Sequence, residues 1–125
     1  MRYVVPLVGL TVLLIGCART PATQAHGKPV SFWVQALHDA DARVRKRAVH
    51  SLGNVGAADP AAIPALIEAV QDRDAKVRGE AILALLRIGP DAKEAIPILT
   101  EAQKDKDPQV RSYAVKALEK MGSGR

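Results

Sequence analysis

The sequence predicts an all-α protein, an α-solenoid of three stacked helical hairpins. Three observations predict it. A 33-residue unit recurs three times without gaps over residues 30–122. Inside each unit the apolar residues fall at helical spacing. Of 125 residues, 48% are apolar but only 3% aromatic, and a core of Ala, Leu, Ile and Val suits closely packed helices better than a strand sandwich. A chain of this length makes one small domain at most. A repeat array lets it build a continuous core by stacking neighbours.

Residues 1–16 read as an export signal. Met1 and Arg2 give a short positive start, and residues 4–15 form an apolar run broken only by Pro6, Gly9 and Thr11. Such a run suits a signal core of about 7–15 residues and is short for a spanning helix of about 20. Leu14-Ile15-Gly16-Cys17 follows, and Cys17 is the one cysteine of the chain, which excludes an intrachain disulfide. This ending resembles the lipobox of bacterial lipoproteins. The resemblance implies a covalent lipid on Cys17, cleavage before it, and a place in the bacterial cell envelope. Ala18 stands where Asp would direct retention in the inner membrane, so an outer membrane facing the periplasm is implied for a Gram-negative host. Two or more acyl chains hold a protein stably where one does not. Residues 17–29 read as the lipidated Cys and a flexible tether, small, polar and punctuated by Pro21, Gly27 and Pro29.

The repeats are expected at about 30–56, 57–89 and 90–122, followed by a tail at 123–125. Each has an Asp-x-Asp-x-x-Val-Arg segment, at 39–45, 72–78 and 105–111. Ala48, Ala81 and Ala114 follow, then Leu52, Leu85 and Leu118, and each unit ends on Gly56, Gly89 or Gly122. The second helix of each hairpin is the clearer one. Asp41, Asp74 and Asp107 are its N-caps, Pro108 fits a first helical position, and the glycines fit left-handed C-terminal caps. In the first copy, residues 44, 48, 49, 52 and 55 make the apolar face. The first helices are shorter and less regular. Residues 30–37 give about two turns, Pro64 and Pro97 mark a first turn or a kink, and Thr100 and Gln103 weaken the third copy.

Ankyrin and tetratricopeptide repeats have periods of about 33 and 34 residues, but neither signature is present. The pattern from Asp39 to Gly56 and its two copies instead resembles HEAT-like repeats, in particular the short subtype named after phycobilisome bilin lyases. The resemblance implies a right-handed α-solenoid. It also implies a hydrogen-bonded ladder in which Asp39, Asp72 and Asp105 partner Arg45, Arg78 and Arg111 between neighbouring repeats. The helical wheel agrees that these arginines are structural: Arg45 lies about 100° from Val44, within the apolar arc, and a buried guanidinium needs acceptors.

The opposite face of the second helices differs between copies. It offers Arg43, Lys46, Arg47, His50 and Asn54, then Lys76, Glu80, Leu83 and Arg87, then Tyr113, Lys116 and Lys120. Seven positive charges meet one negative there. The whole chain carries +5, so its positive excess is concentrated on this face. HEAT-type arrays usually turn it to the concave side. Leu83 and Tyr113 among the charges make it a candidate interaction face for a protein with an acidic surface; an ordinary solvated face is the plainer reading.

No catalytic constellation, metal-ligand spacing or phosphate loop emerges. The expectation is a non-enzymatic protein without cofactor or metal beyond the lipid on Cys17. A membrane-tethered interaction scaffold is the leading reading. The alternative is a structural subunit that self-associates, as a homo-oligomer, or docks through an uncapped apolar edge of the third repeat. A chromophore-lyase role, implied by the subtype resemblance alone, runs against the export signal, and so does binding to nucleic acid.

Overall fold

A computed structural model describes residues 24–122. The segment expected to be a signal, Cys17, residues 18–23 of the expected tether and residues 123–125 lie outside the described residues. The described chain opens with a two-stranded antiparallel ribbon, β1 (Gln24–Ala25) and β2 (Lys28–Pro29). Three helical hairpins follow. They are α1 (Val30–Ala36) with α2 (Ala42–Val55), α3 (Ala62–Ala69) with α4 (Ala75–Ile88), and α5 (Ile96–Ala102) with α6 (Pro108–Gly122). Short 3₁₀ stretches, Gly56–Ala58 and Gly89–Ala95, join one repeat to the next. The long second helices stack in order, α2 on α4 and α4 on α6, and α3 packs against both α2 and α4. Among the described residues no helix is long and apolar enough to cross a membrane.

The repeated Asp-x-Asp segment builds each inter-helix turn. The first Asp closes the turn by accepting the N–H of the second, at 2.8 Å for Asp39 to Asp41 and Asp72 to Asp74, and 2.9 Å for Asp105 to Asp107. The second Asp caps the helix. Asp74 accepts the N–H groups of Lys76 and Val77, and Asp107 those of Gln109 and Val110, donors that a helix start otherwise leaves unpaired. At the far end, Gly56 and Gly89 have φ of 55° and 71°, which turns the chain into the 3₁₀ stretch at little steric cost. Gly122 is not a left-handed cap. It ends α6 without a positive φ.

Ala48, Ala81 and Ala114 are fully buried between the helices, and Leu52, Leu66, Ile82, Leu85 and Leu99 fill the core around them. Each of these larger side chains contributes roughly 1.5–3 kcal/mol by leaving water. Val44 departs from the predicted apolar face. Its counterparts Val77 and Val110 are each 1% exposed, whereas Val44 is 36% exposed. This position faces the preceding repeat, and among the described residues only the short ribbon precedes the first hairpin.

The ribbon packs on that side of the first hairpin. Residues 24–29, expected as part of a tether, are folded against the first hairpin. His26 and Gly27, at φ of 50° and 72°, form the two-residue loop that matches the twist of a hairpin. The Trp33 indole donates to the Ala25 carbonyl at 2.8 Å, and the His26 ring stacks on His50 at 6.1 Å.

The other end differs from an uncapped apolar edge. Where repeats one and two present Leu37 and Val70 to the next repeat, the third presents exposed Gln103. Thr100, Ser112 and Glu119 are exposed along the same edge, and only Val115 and Ile96 remain exposed there as large apolar side chains.

Two mid-helix glycines differ in their surroundings. A Cβ on Gly53 would stand 2.9 Å from the Ala84 Cβ, whereas one on Gly79 would meet only the Tyr113 ring edge at 3.4 Å. Alanine gains about 1 kcal/mol over glycine in a helix interior. Gly79→Ala is therefore expected to stabilise by up to about 1 kcal/mol, and Gly53→Ala to destabilise by about 1–2 kcal/mol through overpacking. Urea denaturation of both variants checks the opposite signs.

Candidate functional site

Two sets of polar residues stand out from the fold, one between the repeats and one along the second helices. In the first, Arg45 leaves α2 with its side chain almost wholly buried. Its Nη1 donates to the carbonyls of Asp39 and Ala40 in its own turn, at 2.8 and 3.0 Å. Its Nε and Nη2 grip both oxygens of Asp72 in the next repeat, at 2.8 and 3.1 Å. Arg78 repeats the pattern, with Nη1 on the carbonyls of Asp72 and Arg73 and a fork on Asp105 at 2.9 and 2.9 Å. Each arginine thus ties its own turn to the following repeat through paired, charge-assisted bonds. The links run in one direction, from the arginine of one repeat to the aspartate of the next. Asp39 and Arg111 are the two ends. The Asp39 side chain bonds the Asp41 N–H, and Arg111 is exposed with Nη1 on the carbonyls of Asp105 and Lys106.

The hydrogen bond from Arg45 to Asp72 raises the Arg45 pKa. Burial pushes the Asp105 carboxyl up, but the Arg78 hydrogen bond and the Asp107 N–H outweigh it and leave its pKa lowered. Asp74 is lowered chiefly by the Val77 N–H, and Asp41 chiefly by its hydrogen bond to Arg43.

The second set is the face of α2, α4 and α6. Lys46, Lys76, Glu80, Leu83 and Tyr113 line one groove of about 370 Å³, with Asp107 and Gln109 at its side. The Tyr113 ring edge lies against Gly79, and Gln109 donates to the Tyr113 hydroxyl at 2.6 Å. The charge of this face is smaller than its sequence tally. Lys46 approaches Glu80 of the next repeat at 3.6 Å, and Arg43 is bound to its own cap Asp41 at 2.9 Å. Lys76, Arg87 and Lys116 have no ion pair among the described residues and carry positive charge outward; Lys120 stands close to Gly89.

Arg47 and His50 lie away from the groove, against the N-terminal ribbon. Arg47 sits over the Trp33 ring at 5.7 Å, and His26 approaches both His50 and Asn54. Sequence reasoning had no way to group His26 with His50, because a two-residue ribbon strand leaves no periodic signal. Cys17 lies outside the described residues. Among the described residues, no group of three or more His, Cys, Asp or Glu is placed to hold a metal ion.

The family model for HEAT repeats matches residues 30–119. This chain belongs to the HEAT-repeat family. Solved structures share the fold of this HEAT-repeat chain. One engineered protein is 27% identical, with a TM-score of 0.58 over 76% of this chain and 46% of its own length. A second engineered protein is 28% identical, with a TM-score of 0.56 over 77% and 28%. A designed armadillo repeat protein in complex with the peptide (KR)4 is 24% identical, with a TM-score of 0.62 over 74% and 46%. The HEAT-repeat chain thus spans less than half the length of each. No curated relative matches it. HEAT and armadillo solenoids commonly serve as protein-interaction scaffolds and are typically not enzymes.

Two predictions follow from the ladder geometry. Asp105→Asn removes the counter-charge of a buried guanidinium and is expected to destabilise by roughly 3 kcal/mol. Arg111→Ala, at the exposed end, is expected to cost under about 1 kcal/mol. Thermal denaturation of the two variants reads the contrast. Asp41, Asp74 and Asp105 have folded pKa values below the ordinary 3.8, so the unfolded chain binds more protons as the pH drops through 3.8. Their stabilisation is fully present above that pH and is lost as the pH falls through the lowered folded values. A urea midpoint that declines in this window, and declines less in Asp105→Asn, is the expected result.

Proposed function

We propose that this HEAT-repeat protein is a lipid-tethered scaffold of the bacterial cell envelope that holds an acidic protein segment along the α2–α4–α6 face. The observation that carries the reading is the groove where Lys46, Lys76, Leu83 and Tyr113 meet. It pairs an apolar and an aromatic surface with cationic side chains, the chemistry of an interaction hot spot. Charge steers an acidic partner toward such a face. The designed armadillo neighbour is in complex with the peptide (KR)4; here Glu80 and Asp107 offset Lys46 and Lys76 within the groove, and Arg87 and Lys116 on the surrounding face favour a ligand of the opposite charge. The lipid on Cys17 and a tether over residues 18–23 would place the groove close to a membrane surface, which restricts the partner to proteins at or near that membrane. For a Gram-negative host that membrane is the outer one, with the domain in the periplasm.

The test is crosslinking in native membranes. A partner joined through Lys76 or Lys116 is expected, with its contact segment rich in Asp and Glu. The triple variant Lys76→Glu, Arg87→Glu, Lys116→Glu is expected to reduce that crosslink about tenfold or more, as loss of more than one steering contact should. Undiminished capture by the folded triple variant would contradict the basic-face reading. Cys17→Ser is expected to abolish fatty-acid labelling and to release the protein from the membrane fraction. Retention of the label would contradict the anchor.

A further inference from the structure

The ladder supplies two occupied copies of a carboxylate receptor and one vacant copy. Arg45, Arg78 and Arg111 stand 33 residues apart. In all three, Nη1 is fixed by two carbonyls of the arginine's own turn; at Arg111 these are Asp105 at 2.7 Å and Lys106 at 3.2 Å. That contact orients the planar guanidinium and leaves Nε and Nη2 as a fork. In the first two copies the fork holds both oxygens of an aspartate from the next repeat. At Arg111 it has no partner among the described residues.

We infer that the Arg111 fork, with Val115 and Ile96, is a docking site for a partner protein that presents an aspartate at the turn into a helix. The internal template identifies the ligand group. Asp72 and Asp105, the two carboxylates already held, each also accept the N–H two residues ahead in the turn before a helix. The receptor therefore takes a carboxylate oriented by such a turn, and its fixed fork has little freedom left to lose on binding. The apolar neighbours agree. Val115 is 40% exposed and Ile96 37%, whereas their counterparts Val49, Ile82, Val30 and Ile63 are buried. An occupant that fills the fork in the template geometry also covers this pair. The edge is otherwise polar and carries Glu119, which disfavours a long acidic stretch and favours one placed carboxylate.

A second copy of this chain is disfavoured as the occupant by the ribbon, and the mapped crosslink distinguishes it from a partner protein. Its corresponding end carries the ribbon, which is held through the Trp33 indole, while its Asp39 is exposed and accepts the Asp41 N–H as the template aspartates do. Stacking one molecule on another in ladder register would bring the third repeat of one against the ribbon of the other.

The inference is independent of the basic groove. The full chain in native membranes, with a photo-crosslinking residue in place of Val115, tests it. The expected result is a crosslink to a partner helix start, within a few residues of an Asp at its turn. Arg111→Ala should weaken the crosslink about tenfold or more, the scale of a lost bidentate charge-assisted contact, and Lys76→Glu, Arg87→Glu, Lys116→Glu should leave it in place. No crosslink, a crosslink indifferent to Arg111→Ala, or one mapping to a segment without such a turn overturns the inference. A second measurement checks the receptor itself. A copy of residues 57–89 is joined after Gly122, which presents its aspartate in ladder register. Arg111→Ala should then lower the melting temperature as much as Arg78→Ala does. If Arg111→Ala stays neutral in the extended chain, the fork is not a receptor.

Discussion

The grip of Arg45 on Asp72, and of Arg78 on Asp105, is the constraint on which the rest of the structure depends. A hairpin of two short helices cannot bury its own apolar face. It becomes stable only when a neighbour covers Val49, Leu52 and their copies. Apolar contact alone would tolerate sliding and rotation between hairpins. The buried guanidinium does not, because it must find two carbonyls in its own turn and two carboxylate oxygens in the next repeat, and missing any of them strands a charge out of water. The ladder converts a general tendency to stack into one register.

That register creates the face assigned to partner binding. Lys46, Glu80, Leu83 and Tyr113 come from three different helices and converge only because the second helices stack in step. The Tyr113 ring edge lies against Gly79 of the preceding repeat. The two ends of the array are finished differently. At the N-terminal end a ribbon of six residues, pinned by the Trp33 indole, stands where a preceding helix would lie. At the C-terminal end the finishing is done by substitution, with Gln103 and Glu119 at positions that are apolar or small in the earlier copies. One ladder fork is left open there.

Much of this was legible in the sequence because a repeat prints its structure three times. Asp41, Asp74 and Asp107 are readable as caps, and Arg45 as a buried residue, since each recurs at the same place in an apolar helical pattern. Whatever is not periodic was harder to see. The loop at His26 and Gly27 is a strong turn signal, but its flanking strands are two residues each, too short to alternate. The Lys46–Glu80 pair links helices in different repeats, so counting charges on one face overstated its excess. Val44 is exposed and the third edge is polar in the first and last described repeats, and a pattern shared by all copies hides how these two differ.

The central claim, that an arginine–aspartate link joins each repeat to the next and ends at an open fork, has one direct test. Side-chain Nε–H exchange measured by NMR compares Arg45, Arg78 and Arg111 within a single sample. Slow exchange at Arg45 and Arg78 with rapid exchange at Arg111 is the predicted result. Equal exchange at all three positions would contradict the account.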